Sequence, residues 1–122
     1  MFNWFAVFLG GGLGSLCRYS ISQYIDNSSF PWATLIANGL ACFVLGLVIG
    51  YSSRLGWPTH WKLLAATGFC GGFSTFSTFS KEALELAQQG VPWSAIGYVL
   101  LSLVVGLIAL SVGLFLSNNN QL

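Results

Sequence analysis

Charge is what this sequence has least of. Four Lys or Arg and three Asp or Glu make up 6% of its 122 residues, for a net charge of +1. With no basic run there is nothing to hold a nucleic-acid backbone, and a 55% hydrophobic content lies outside the range of a soluble domain. Histidine is nearly absent. His60 lies in a loop between Pro58 and Trp61, and no nucleophile–base pairing surrounds it, so an enzyme is the least supported class. Cysteine is scarce and odd in number. Cys17, Cys42 and Cys70 all fall in apolar stretches away from His60, which argues against a disulfide framework or a zinc site and for small packing residues. The N-terminus also lacks the basic region of a secretory signal, and its apolar stretch runs past residue 20, so it reads as a retained span.

What is present is apolar length. Residues 27–53, 63–80 and 86–122 carry no formal charge, and a hydrocarbon core of about 30 Å takes roughly 20 apolar residues per helix. Four spans are predicted, at about 3–25, 32–52, 62–87 and 93–116. Their connections carry turn chemistry: Asp26 to Ser29 before Phe30-Pro31, Leu-Gly-Trp-Pro at 55–58, and Gln-Gln-Gly-Val-Pro at 88–92. The fold class is therefore an all-α integral membrane protein, one transmembrane domain over 1–122 with four transmembrane helices per subunit.

Orientation is weakly specified. Arg54 and Lys62 lie on one side, Lys81 with Glu82 and Glu85 on the other, and Arg18 inside the first span, so positive-inside counting barely prefers one topology. Such a chain is compatible with insertion in both directions and pairing as an antiparallel dimer, or with a single topology. Two copies can enclose a polar pathway that four short helices alone hardly can.

Polar groups within the spans are few. Gly10/Gly14, Gly46/Gly50 and Gly68/Gly72 are spaced by four, the pattern of close helix approach. Arg18 is costly in lipid; it either snorkels or faces a vestibule where it would attract anions. No carboxylate occurs deep in a span, which counts against a small multidrug antiporter of the same length. Thr34, Asn38 and Cys42 share one helical face, with Asn38 either an interhelical hydrogen bonder or pore-lining. Tyr98 and Ser102 share another face that continues to Gly106 and Leu110, and a buried, satisfied Tyr98 is the simpler reading.

The densest polar stretch is "GGFSTFSTFS" at 71–80, near the middle of the third span. Gly71-Gly72 and the hydroxyl residues predict a helix break, tolerated at that depth only inside protein or along a cavity. Freed carbonyls there suit a small hard cation, and the following helix N-terminus offers N–H groups to an anion. Ser74, Thr75, Ser77 and Thr78 add hydroxyls, unless these bond back to their own helix. Phe76 and Phe79, three apart, present ring edges whose positive quadrupole can face a compact anion.

"GFCGGFSTFSTF" at 68–79, "GGGLGSLCRY" at 10–19 and "PWATLIANGLACFVLG" at 31–46 together resemble the Fluc (CrcB) fluoride ion channels, over three of the four spans in the same order. The resemblance implies an antiparallel, dual-topology homodimer in the lipid of a bacterial plasma (inner) membrane, with the third helix broken mid-membrane. It implies a passive, selective fluoride channel that exports fluoride and protects the cell from its toxicity. It also implies a structural Na+ at the dimer interface, held by backbone carbonyls of Gly71 and Ser74, where the family usually has threonine at the second position. The ion pathway it implies runs along Arg18, Asn38, Phe76, Ser77, Thr78, Phe79, Tyr98 and Ser102. A small multidrug-type or fluoride/proton-coupled transporter and a non-conducting membrane assembly protein are the alternatives.

Overall fold

A computed structural model describes residues 1–119, and all its regular elements are helical. They are α1 (Phe2–Tyr24), α2 (Trp32–Leu55), α3 (Thr59–Lys62), a π-helical stretch (Leu63–Cys70), α4 (Gly71–Phe73), α5 (Phe76–Gln88) and α6 (Pro92–Asn119). Proline and glycine set the ends. Pro31 and Pro58 precede α2 and α3, and Pro92 opens α6, where a missing N–H costs nothing. Gly56 closes α2 at φ 63°, a left-handed position that disfavours a side chain.

Helices α2 and α6 are each long and apolar enough to cross a membrane. Helix α1, at 23 residues, reaches about 34 Å at the usual rise. The third predicted span, 62–87, is divided. Lys62, Leu63, Cys70 and Gly71 all hold right-handed helical dihedrals, so α3, the π-helical stretch and α4 run as one helix. That helix stops at Phe73. Ser74 (φ −80°, ψ 155°) and Thr75 (φ −149°, ψ 117°) are extended before α5 begins.

The interruption therefore lies at Ser74-Thr75, among the hydroxyl residues of the 71–80 stretch and two residues beyond its glycine pair. Gly71 and Gly72 stay helical because Gly72 serves packing. A Cβ added to it would collide with the Gly11 carbonyl of α1. Of the two features that predict a break, the hydroxyl residues take it, because their side chains can replace the backbone bonds that it removes.

Two seams hold the bundle. Helix α1 lies along the π-helical stretch and α4, and α2 lies along α6. In the first seam, added Cβ atoms at Gly10 and Gly14 would strike the carbonyl oxygens of Leu64 and Phe69; in the second, those at Gly46 and Gly113 would strike Leu110 and Phe43. Backbones thus touch directly, the contact that drives helix association where lipid removes the hydrophobic incentive. Buried clusters fill the remainder, Ala37, Ala41 and Phe73 in one and Leu35, Leu86, Ala95 and Tyr98 in the other. Apolar side chains such as Phe8, Phe76, Leu103 and Leu107 point outward.

Candidate functional site

The site is built on the break. Ser74 sends both its N–H (3.0 Å) and its Oγ (2.9 Å) to the Cys70 carbonyl. Thr75 N–H donates to Asn38 Oδ1 at 2.8 Å, and Asn38 Nδ2 donates back to the Thr75 carbonyl at 3.4 Å. A side chain of α2 thus stands in for the helical acceptor of Thr75 N–H and adds a second donor to a carbonyl that, at the N-cap of α5, already begins the helix. Thr75 Oγ1 in turn accepts from Thr78 N–H at 3.2 Å and caps α5.

These substitutions free two carbonyls. In a continuous helix Thr75 N–H would bond Gly71 and Thr78 N–H would bond Ser74, each four residues back. Here Asn38 and the Thr75 hydroxyl take those donors, so the Gly71 and Ser74 oxygens lose their helical partners. Gly72 is compensated. Its carbonyl accepts Arg18 Nε at 3.2 Å.

Replacing Thr75 by Val keeps the shape and removes the cap. We expect a loss of about 1 kcal/mol in stability, read as a lower melting midpoint of the detergent-solubilised protein by heat-and-filter chromatography. An unchanged midpoint would mean that the hydroxyl does not hold α5.

Two cavities meet at Thr75. The aromatic one, of about 380 Å³, is lined by Asn38, Thr75, Phe76, Phe79 and Ser102 among others. The two phenylalanine rings sit 5.9 Å apart between centroids at a 39° tilt. Ser102 Oγ is buried without a hydrogen-bond partner, an unspent hydroxyl on a wall with few other donors. Such a group, costly to leave unpaired, is a natural donor to an occupant.

The polar cavity, of about 300 Å³, lies across Thr75 and is lined by Ser15, Arg18, Thr34, Thr75, Thr78 and Glu82, with others. Glu82 is the residue that sequence reasoning missed. It does not serve Lys81, which pairs with Glu85 at 3.4 Å on the exposed surface. Instead Glu82 Oε1 accepts from the Thr34 hydroxyl at 2.8 Å and Oε2 from the Tyr98 hydroxyl at 3.2 Å, joining α2, α5 and α6. The expectation concerns carboxylates deep in a span; Glu82, near the end of the span at 62–87, is nevertheless held among three helices. A signal was available: Thr75, Thr78 and Glu82 recur at i, i+3 and i+7, one face of α5.

The predicted site residues divide accordingly. Asn38, Phe76, Phe79 and Ser102 meet at the aromatic cavity, and Arg18 and Thr78 at the polar one. Tyr98 is fully buried, with its hydroxyl committed to Glu82 and its ring 5.1 Å from that of Phe79. Ser77 is exposed, and its Oγ is 3.3 Å from Thr75 Oγ1. Ser74 borders the aromatic cavity and, with Gly71, a third of about 180 Å³.

Comparison with known proteins bears on this arrangement. Residues 5–114 match the family model described as CrcB-like protein, Camphor Resistance (CrcB). The chain is 44% identical over 128 aligned positions to the "Fluoride-specific ion channel FluC 1" of Yersinia pestis, covering 98% of this chain and 97% of that one. It is 47% identical over 109 positions to the "Fluoride-specific ion channel FluC" of Serratia proteamaculans, with 84% of each chain covered. The protein of that name from Phocaeicola vulgatus is 40% identical over 114 positions, covering 91% of this chain and 94% of that one.

Proposed function

This chain belongs to the CrcB family, and on that premise we propose that it is a passive, fluoride-selective membrane channel rather than an enzyme. The observation that carries the reading is the aromatic cavity, where two phenylalanine rings, the Asn38 amide and the unpartnered Ser102 hydroxyl border one space. Fluoride is compact and strongly hydrated. A filter for it must replace water with close donors while binding weakly enough to release. One Asn38 N–H remains after Nδ2 has served Thr75, and Ser102 supplies a hydroxyl. The ring edges of Phe76 and Phe79 add positive quadrupole without full charge, and with the open side closed by a second copy the narrow dry stage beside them would exclude a larger halide.

Arg18, in the polar cavity, biases that end toward anions. The apolar outer faces of α1 and α6 suit lipid and a second copy in antiparallel orientation, which would complete the walls of a cavity open on one side. The released Gly71 and Ser74 carbonyls fit a hard cation, and two copies would present four of them to one Na+. Bound there, the ion would tie the two breaks together and offset part of the anion's desolvation. In a bacterial plasma membrane with a negative interior, passive flow carries fluoride outward and so protects the cell.

Glu82 favours one rival, a proton-coupled transporter, because its carboxyl borders the polar cavity beside Arg18. Efflux from liposomes separates the two. Fluoride should leave when a potassium ionophore supplies countercharge, chloride should not, and an imposed pH gradient without the ionophore should drive no uphill movement. Phe79→Ile should abolish efflux while the dimer persists in gel filtration. Uphill fluoride movement under the pH gradient would select the coupled transporter, and no flux from a folded dimer would overturn conduction altogether.

A further inference from the structure

We propose that Cys42 and Cys70 form a two-sulfur site for a soft monovalent cation of the Cu(I) or Ag(I) class, set against the helix break. The two thiols come from different elements, α2 and the end of the π-helical stretch, yet line one cavity of about 180 Å³ with Thr67, Gly71 and Ser74. Both are free, Cys70 buried and Cys42 half-buried. Among the described residues no group of three or more His, Cys, Asp or Glu converges. A four-coordinate zinc site is therefore not available there. Two sulfurs suffice for d10 cations that accept linear coordination, and thiolate ligands select them.

The cavity wall offers two chemistries side by side. The Gly71 and Ser74 carbonyl oxygens are hard donors, suited to Na+, and compete poorly for a soft ion. The sulfurs have the opposite preference. Binding replaces two S–H bonds with two metal–sulfur bonds and releases two protons to water, leaving a bis-thiolate complex of charge −1.

That charge matters because Cys42 and Ser74 also border the aromatic cavity. An anionic complex in this wall opposes the entry of an anion, so occupancy should block fluoride passage. The block rests on the channel reading; the binding does not.

Silver fluoride in chloride-free buffer is a suitable probe, since it is soluble and does not sequester the permeating ion. In a Cys17→Ser background, which removes the exposed thiol, the protein should retain one Ag+ per chain through gel filtration, measured by elemental mass spectrometry. Adding Cys42→Ser or Cys70→Ser should each reduce retention at least tenfold. Micromolar Ag+ should stop efflux in the background protein and spare it in the Cys70→Ser variant, whose altered residue lies outside the aromatic cavity, and dithiothreitol should restore it. Equal retention after either cysteine is removed, or none in the background protein, overturns the site. Retention without block overturns the coupling to the aromatic cavity. If the background protein conducts no fluoride, the conduction reading fails while retention still decides the site.

Discussion

Asn38→Leu is expected to lower fluoride efflux by about two orders of magnitude while leaving the chain helical. The replacement nearly conserves volume but withdraws the Oδ1 acceptor of Thr75 N–H at 2.8 Å and the longer Nδ2 bond to its carbonyl at 3.4 Å, leaving the N–H without a partner. Leaving a backbone group unpaired inside the protein costs about 1–3 kcal/mol, so the extended conformation at Thr75 loses roughly that much against its alternatives. The nearest alternative is a continuous helix, in which Thr75 N–H returns to the Gly71 carbonyl. That rearrangement would rotate Phe76 and Phe79 away from Ser102 and bury the oxygens proposed for Na+. At 1.4 kcal/mol per decade, the upper end of that range corresponds to about two orders of magnitude. Asn38→Asp should fall between, because a carboxylate still accepts from Thr75 N–H but cannot donate to its carbonyl. Efflux by Asn38→Leu within about threefold of the parent, at equal protein per liposome, would show that the amide does not hold the break open.

The second large effect concerns assembly. A single methyl at Gly14 would collide with the Phe69 carbonyl and lie 2.7 Å from the Phe73 nitrogen, backbone atoms that no rotamer change can move. Gly14→Ala therefore forces α1 away from the helix that carries the break and disturbs Arg18, one turn further along, in its bond to Gly72. We expect a destabilisation of about 3 kcal/mol, the upper part of the range for overpacking, and a marked loss of monodisperse protein on gel filtration after mild heating. Gly12→Ala is the matched control. An added Cβ there meets nothing within 4 Å, so the change should be neutral or stabilising by up to about 1 kcal/mol through helix propensity. Equal behaviour of the two variants would remove the first seam from the list of forces that hold the bundle.

Much of this was legible in the chain itself. Helices α2 and α6 begin at Trp32 and Pro92 against predicted starts at 32 and 93, because proline and charge depletion mark those boundaries locally. The spacing of Gly10 with Gly14 and of Gly68 with Gly72 announced close approach, since only small residues let backbones touch. The break falls within the 71–80 stretch, but which of its residues leave the helix is not legible locally. Glycine weakens a helix by propensity, but Gly72 is held helical by contact with Gly11, and that contact is tertiary. The sequence places Glu82 beside Lys81 and Glu85 at one end of a span and assigns it no partner; Thr34 and Tyr98, 48 and 16 residues away, claim it.

By itself the sequence determined the solvent, the helical class and the inventory of donors, because charge content, apolar length and residue type are properties of the chain with no partner needed. The three motif stretches also sufficed to suggest the family. Only the tertiary structure decided which groups are spent and which are free. Asn38 is largely consumed by Thr75, Tyr98 by Glu82 and Arg18 in part by Gly72, whereas Ser102 keeps its hydroxyl and Gly71 and Ser74 release their carbonyls. The physical reason is that a hydrogen-bonding group in an apolar bundle takes the nearest complementary partner. Which partner is nearest depends on how helices distant in sequence are brought together.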